Sequence, residues 1–196
     1  MKRISDFIAE ELAAAFEAAG YDRNYAKVTL SNRPDLCEYQ CNGAMAGAKK
    51  YKKAPIMIAE DVVANLAETA AYEIGANTAL ARAGAYYHDI GKLKNPQMFS
   101  ENQAGYNPHD DLAPETSAKI ITQHPKDGVE MGRAHGLPNV ILDVIREHHG
   151  TSLVKFFYFK ALKLYGADNV NEADYRYQGV IPSTRESAVV MLADTV

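Results

Sequence analysis

Histidine and aspartate residues gather in the second half of this chain, in pairs and small groups. All six histidines follow Tyr87, and five of them form a series with aspartates: His88-Asp89, His109-Asp110-Asp111, His124 and His148-His149. Imidazole and carboxylate groups together bind divalent metals such as Mn, Fe or Zn, and a carboxylate can bridge two ions. The pattern therefore predicts a metal site assembled from several segments of the chain.

Such a metal site favours one class of reaction. Two ions held about 3.5 to 4 Å apart can share a hydroxide and polarise a phosphoryl group for in-line attack. A single His-Asp pair is weak evidence, because isolated histidines on helices are more often packed or solvated than bound to a metal. The whole group together predicts hydrolysis of a phosphodiester.

Helices must position most of these residues. Apolar spacing predicts a long helix from Pro55 to Gly75, and then helices over 79–87, 114–123, 126–135, 138–148, 152–165 and 183–194. No strong strand pattern competes after Gly75, so this larger part should be an all-α bundle.

The first part of the chain has a different pattern. An amphipathic helix is predicted from Ile4 towards Gly20, followed by strands at 26–30 and 37–40 around a turn at 31–35, and by a short helix at 42–50. This is a small α/β module. The predicted fold class is therefore mainly α, with a helical bundle preceded by a small α/β N-terminal module.

The composition argues against several classes of protein. The net charge of −4 argues against nucleic-acid binding through a broad basic surface. No apolar run approaches the roughly 20 residues of a membrane-spanning helix, so we expect a cytoplasmic protein without membrane insertion. Cys37 and Cys41 stand alone and are expected to be reduced thiols.

Several motifs occur in order along the second part: GAYYHDIGKLKNP at 84–96, SENQ at 100–103, NPHD at 107–110, and then HPKDGVE, REHHGTSLV and VVMLADTV. They resemble the HD superfamily of metal-dependent phosphohydrolases. More narrowly, they resemble the cytosolic HD domain of seven-helix membrane receptors that hydrolyse cyclic di-AMP. The resemblance runs from about Val63 to the C-terminus. It implies a phosphodiesterase that cleaves a cyclic dinucleotide, its small-molecule substrate, by means of a metal-bound hydroxide.

The resemblance also implies the roles of individual residues. The implied metal ligands are His88, Asp89, His124, His148, His149 and Asp194. Asp89 would bridge the ions and take part in catalysis, and Lys92 would lie near the substrate phosphate, where a cation stabilises developing negative charge. The implied cofactor is one or two divalent ions per chain, Mn or Fe.

One position departs from the HD pattern. The family's first ligand is a histidine four residues before Val63, and this chain has Ala59 there. A methyl group cannot bind a metal, so we expect one ion site to be nearly intact and the other weakened. Activity is expected to be reduced, and a catalytically impaired module that binds metal and nucleotide is the alternative.

Residues 1 to about 66 resemble a second family. ISDFIAEELAAAFEAAGYD and NRPDLCEYQCNGAM are similar to the N-terminal additional domain of bacterial arginyl-tRNA synthetases, which touches the D-loop of tRNA. This implies candidate RNA contacts at Asn32, Tyr39, Gln40 and Asn42, and a tRNA-binding fragment as a further alternative. Simple turn and strand packing would also explain these four residues.

The two resemblances meet within one predicted helix. The expected division is residues 1–58 for the synthetase-like α/β module and residues 59–196 for the HD domain, with the junction near 59–68. The chain is interpreted as a fusion whose crossover removed the first HD ligand. No HIGH-like or KMSKS-like motif is present, so aminoacylation is excluded.

Overall fold

The computed structural model describes residues 3–32, 38–103 and 105–194. Over these residues the protein forms eight α-helices and a two-stranded sheet. The predicted mainly α class, with a small N-terminal α/β module, is therefore confirmed. Each described helix is too short or too polar to span a lipid bilayer.

The N-terminal module consists of two helices and a hairpin. Its elements are α1 (Ile4–Ala18), the antiparallel strands β1 (Val28–Leu30) and β2 (Tyr39–Cys41), and α2 (Gly43–Tyr51). Gly43 allows α2 to start against α1, because a Cβ atom there would lie 2.7 Å from the Phe16 ring. The predicted turn residues 33–35 and the first predicted residue of the second strand, Cys37, lie outside the described residues.

Helix α3 (Pro55–Glu73) is shared between two hydrophobic cores. Ile58 and Val62 pack into the core that contains Phe16 of α1. Ala64 and Ala67, further along the same helix, are fully buried in the core of the bundle. The predicted boundary between residues 58 and 59 thus falls within a helix that both cores use.

Five further helices complete the bundle: α4 (Thr78–Tyr87), α5 (Pro114–Ala134), α6 (Asn139–Glu147), α7 (Lys155–Tyr165) and α8 (Arg185–Asp194). A 3-10 turn at Ile90–Lys94 follows α4 and packs against α5. Gly91 makes this approach possible, because a Cβ atom there would lie 1.9 Å from the carbonyl oxygen of His124. The turn is thereby pressed directly against α5.

Helix α5 corrects one prediction. The sequence predicted two helices, 114–123 and 126–135, but one continuous helix contains Pro125 in its interior. An interior proline removes a backbone hydrogen bond and costs about 3 kcal/mol. Both halves nevertheless bury residues against the rest of the bundle, Ala118 before the proline and Gly128 after it, and this packing keeps them in one helix.

A buried carboxylate fixes the start of α8. The side chain of Glu147, at the end of α6, accepts hydrogen bonds from the backbone N–H of Ser183 at 2.9 Å and from its hydroxyl at 2.8 Å. The backbone N–H of Asn77, before α4, donates to Glu186 at 2.6 Å. These contacts hold α8 beside α4 and α6, the helices that directly precede His88 and His148.

Candidate metal centre

Ligand-type side chains from α5 and from the C-terminal ends of α4, α6 and α8 converge on one place. His88 follows the last residue of α4, with Asp89 next to it, and His124 lies within α5. His148 and His149 follow α6, and Asp194 is the last residue of α8. Two groups each bring their ligand atoms within 4.8 Å of one another: Asp89, His124, His148 and His149, and His88, Asp89 and Asp194.

Two of these histidines are oriented by carbonyl groups at helix ends. The Nδ1 atom of His88 lies 2.7 Å from the carbonyl oxygen of Ala85, and that of His148 lies 2.8 Å from the carbonyl oxygen of Ile145. Carbonyl groups in the last turn of a helix have no intrahelical donor. A carbonyl can only accept, so Nδ1 carries the proton in this contact and Nε2 faces the cluster.

His124 achieves the same orientation in the middle of α5. Its Nδ1 atom lies 2.8 Å from the carbonyl oxygen of Ile121. In a regular helix that oxygen would accept from the N–H of residue 125, but Pro125 has no N–H. The proline therefore leaves a carbonyl for the imidazole, and the Nε2 atom of His124 is directed into the cluster.

The atoms that face the centre of the cluster are mostly hydrogen-bond acceptors, which can bind a cation but cannot hydrogen-bond to one another. The Nε2 atoms of His124 and His148 lie 3.1 Å apart, and in neutral rings that donate through Nδ1 both are acceptors. Asp89 Oδ1 is buried without a hydrogen-bond partner, 3.1 Å from His124 Nε2 and 3.6 Å from His148 Nε2. Facing lone pairs beside a carboxylate are the ligand set that divalent metals take, with the second imidazole nitrogen bonded outward.

The charges of the cluster are coupled through its carboxylates. Burial would raise the pKa of Asp89, but the neighbouring imidazoles of His124, His148 and His88 outweigh it and hold the pKa well below its ordinary value. Burial lowers the pKa of His88, yet hydrogen bonds with Asp194 and Asp89 outweigh it and raise the pKa to about 10. Without a metal, a proton on His88 therefore balances the carboxylates, and metal binding displaces protons of this kind.

His149 is held differently from the other three histidines. Burial, with neighbouring His148, lowers its pKa to about 2, so the ring is neutral. Its Nδ1 atom lies 3.9 Å from Asp194 Oδ2, and its ring stacks on Tyr177 with centroids 4.1 Å apart and planes 30° apart. Tyr177 also meets His124 edge-on, at 5.9 Å. The tyrosine thus lies against two rings of the cluster.

Lys92 lies beside the cluster, between two carboxylates. Its Nζ atom is 2.6 Å from Asp89 Oδ2 and 2.8 Å from Glu101 Oε1. Burial would lower the pKa of Lys92, but Asp89 and Glu101 raise it, so the side chain is positively charged. Glu101 belongs to the SENQ motif, to which the sequence assigned no role.

A cavity of about 390 Å³, here called the aromatic cavity, opens beside Lys92 and His149. Its aromatic lining is Phe99, Phe156, Phe157 and Tyr177, and Gln103 and Asn107 add amide groups. His109, which the sequence placed in the aspartate series, lies outside the metal cluster. It is buried, donates from Nε2 to the carbonyl of Met98 at 2.7 Å, and packs on Phe157.

The remaining predicted positions are not among the residues that bring ligand atoms to the cluster. Ala59 is half-buried in the first half of α3 and offers no ligand atom. Of the candidate RNA contacts, Gln40 accepts through Oε1 from the backbone N–H of Asn32 at 3.3 Å, and Tyr39 pairs with Leu30 across the hairpin. Asn42 follows the second strand and lines a cavity at the start of α2. The fold brings these four residues to one hairpin, and their role in binding RNA stays a prediction.

Two residues beside the cluster were missed by the sequence analysis. Tyr177 lies in an irregular segment whose letters carry no periodic pattern, and it reaches the cluster through the pairing of Leu153 with Arg176. Glu101 is visible as part of SENQ, but its contact with Lys92 depends on the fold. Neither could be assigned from spacing alone.

Comparison with known proteins finds a match for each part of the chain. The model of the HD domain family matches residues 62–196, and that of the arginyl tRNA synthetase N terminal domain matches residues 2–79. Both matches include residues 62–79, which cover much of α3 and the start of α4.

The relatives divide in the same way. The cyclic-di-AMP phosphodiesterase PgpH of Bacillus subtilis is 48% identical over 136 residues, and that of Listeria monocytogenes is 51% identical. Each alignment covers 69% of this chain but 19% of the relative. The arginine–tRNA ligase of Agathobacter rectalis is 59% identical over 73 residues, which are 37% of this chain and 12% of the ligase.

A solved structure agrees with the HD match. The HD domain of L. monocytogenes PgpH in complex with cyclic-di-AMP superposes with a TM-score of 0.64 at 51% identity. The superposition covers 67% of this chain and 61% of that one. The fold of the larger part is therefore shared with a nucleotide-bound relative.

Proposed function

The chain belongs to the HD-domain family, and we propose that it is a metal-dependent phosphohydrolase that cleaves a phosphodiester in a cyclic dinucleotide such as cyclic di-AMP. The observation that carries this proposal is the pair of facing Nε2 atoms of His124 and His148, 3.1 Å apart beside Asp89. Support for the substrate comes from the PgpH relatives, which are named cyclic-di-AMP phosphodiesterases.

The proposed ligands form two sites that share Asp89. One contains Asp89, His124, His148 and His149, and the other contains His88, Asp89 and Asp194. Divalent ions held there, Mn or Fe, would act as Lewis acids on the phosphoryl group and supply the nucleophile. The outward hydrogen bonds of His88, His124 and His148 keep their Nε2 lone pairs available for this purpose.

The chain's own groups would position the substrate. Lys92 presents a permanent positive charge beside Asp89, where it would stabilise negative charge on the phosphoryl oxygens. Glu101 keeps that ammonium group at the edge of the aromatic cavity. The rings of Phe99 and Tyr177 would stack on a base of the dinucleotide, a contact worth about 1 to 3 kcal/mol per base.

Ala59 favours a second candidate within the same class of ligand. The group of His88, Asp89 and Asp194 has three ligands, and no imidazole is available from Ala59 to add a fourth. Loss of one ligand should lower the affinity of the site for its ion at least as much as loss of an outer-shell partner does, which is roughly 10 to 100-fold. A module that binds metal and nucleotide but turns over slowly is therefore the alternative.

The N-terminal module carries a separate proposal. Residues 1–58 would form the synthetase-like unit and residues 59–196 the HD unit, joined through α3. The match to the synthetase domain supports a contact with tRNA through Asn32, Tyr39, Gln40 and Asn42. A gel shift with tRNA that is lost in the Tyr39→Ala, Gln40→Ala double variant would support this contact, and an unchanged shift would contradict it.

Hydrolysis is tested directly with purified protein, added Mn²⁺ and cyclic di-AMP, and the linear dinucleotide is measured by chromatography. We expect turnover in the wild type and a loss of at least about 100-fold in Asp89→Asn, because that change removes the shared ligand. Asp168→Asn, at an exposed position outside both groups of proposed ligands, is the matched control and should remain active. Absence of turnover in both the wild type and Ala59→His would overturn the proposal.

A further inference from the structure

A second cavity lies against the same two rings that border the metal cluster. It measures about 350 Å³ and shares His149 and Tyr177 with the aromatic cavity. Its other walls come from α5 and from the segments around Gly150 and Gly179. A Cβ atom on Gly179 would lie 2.5 Å from the carbonyl oxygen of Gly150, so these two segments touch and close one side of the cavity.

This second cavity, here called the basic cavity, has a strong excess of positive charge. Lys119, Lys126 and Arg146 line it, and no carboxylate does so among the described residues. Arg146 pairs with Asp143 on its own helix. Within the part of the chain that the structure describes, Lys119 and Lys126 have no carboxylate partner, so their charges are available to a ligand.

The spacing of the two lysines gives the cavity one charged wall. Lys119 and Lys126 are seven residues apart on α5, which places them on the same face of the helix two turns apart. Thr122 and Gln123 lie between them and add polar groups to the lining. The wall is therefore suited to an anionic group.

The two cavities differ in the chemistry that they offer. The aromatic cavity has four aromatic side chains and suits a base, whereas the basic cavity combines apolar walls, among them Pro125 and Val129, with three cationic side chains. Both meet at His149 and Tyr177, at the edge of the metal cluster. A ligand that places one phosphodiester at the cluster could therefore reach into both cavities if it carries a second phosphate.

We propose that the basic cavity binds the second phosphate of a cyclic dinucleotide, the one that is not cleaved, through Lys119 and Lys126. This inference rests on the proposed function, because it takes the cleaved phosphodiester to lie at the metal cluster. It predicts selection for a ligand with two phosphates over a mononucleotide. Phosphate recognition by unpaired lysines beside a shaped wall is electrostatic and adds affinity without taking part in bond cleavage.

The test is equilibrium binding, measured by calorimetry on the metal-loaded full chain with the phosphorothioate form of cyclic di-AMP, which resists hydrolysis. This form of cyclic di-AMP is compared with AMP, as ligands with two phosphates and one. In the Lys119→Gln, Lys126→Gln double variant we expect the Kd for cyclic di-AMP to rise about tenfold, the equivalent of roughly 1.4 kcal/mol. The Kd for AMP should rise much less. Lys163→Gln, an exposed lysine on α7, is the control and should match the wild type.

Three results would overturn the inference. They are a wild type that does not bind cyclic di-AMP, an unchanged Kd in the double variant, and equal losses for cyclic di-AMP and AMP. Inorganic phosphate distinguishes a free anion from the dinucleotide: if phosphate binding alone is lost in the double variant, the cavity takes a free anion and the inference is wrong. Failure of the proposed function would look different, since cyclic di-AMP would bind in this assay but would not be hydrolysed with Mn²⁺.

Discussion

The imidazole Nδ1 of His124 donates a 2.8 Å hydrogen bond to the carbonyl oxygen of Ile121. That oxygen is available because Pro125, the next residue after His124, has no N–H to offer it. The proline is costly for the helix, yet it frees the group that fixes the ring. Pro125 thus determines, through the backbone of α5, how the ring of a proposed metal ligand is oriented.

Replacing this proline tests the relationship. Pro125→Ala restores a backbone donor that competes for the Ile121 carbonyl, so we expect Mn²⁺ affinity to fall by about tenfold, the lower end of the range typical of lost outer-shell contacts. The free energy of unfolding without metal should not fall, because alanine is about 3 kcal/mol more favourable than proline in a helix interior. Pro138→Ala, exposed at the start of α6, is the control. Unchanged affinity in Pro125→Ala would contradict the assigned role.

Tyr177 is predicted to hold His149 in place through its ring. Tyr177→Phe keeps the ring that stacks at 4.1 Å, whereas Tyr177→Ala removes it. We expect Tyr177→Ala to lower Mn²⁺ affinity about tenfold and Tyr177→Phe to retain most of it. Calorimetry with Mn²⁺, together with a melting curve to check folding, measures the difference. Equal Mn²⁺ affinity in the two variants would show that the stacking of Tyr177 on His149 does not contribute to metal binding.

Ala59→His is predicted to restore a ligand to the weaker site. The new imidazole should raise the affinity for a second Mn²⁺ by about 10 to 100-fold and increase the rate of hydrolysis. Met57→His adds the same group at an exposed position two residues earlier on α3 and serves as the control. A rise in both variants, or in neither, would mean that position 59 does not face the cluster.

Asp61 should make stability depend on pH. Burial would raise its pKa, but hydrogen bonds from Tyr21 and Lys53 hold the pKa below 3.8. The Lys53 contact measures 3.0 Å, and Tyr86 of α4 also donates to this carboxylate, at 3.4 Å. Because the folded pKa is lowered, the stabilisation is present above about pH 4 and is lost as pH falls through the folded pKa.

The measurement compares the free energy of unfolding of wild type and Asp61→Asn across acid pH. The difference between the two should be largest at neutral pH and should shrink progressively below pH 3.8, the ordinary pKa of the group. Asp174→Asn, at an exposed position in the second half of the chain, controls for loss of a negative charge. A difference that does not change with pH would show that the Asp61 contacts do not stabilise the fold through its charge.

The sequence predicted the helices well where hydrophobic periodicity is strong, and it grouped the histidines and aspartates that converge. It was wrong about α5, because a rule based on Pro125 alone ignores the burial of Ala118 and Gly128 on either side. It missed Tyr177, whose position depends on the bridge between Leu153 and Arg176. Such contacts join distant segments, and neither propensity nor spacing within one segment encodes them.

A Mn²⁺ titration of the metal-free protein tests most directly whether the converging imidazoles and carboxylates bind divalent metal. We predict saturable binding in the wild type, a loss of at least about tenfold in affinity in His148→Gln, and wild-type affinity in His135→Gln, where the histidine is exposed at the end of α5. Melting curves without metal confirm that each variant is folded. No saturable binding, or equal binding in the folded His148→Gln variant, would contradict the account.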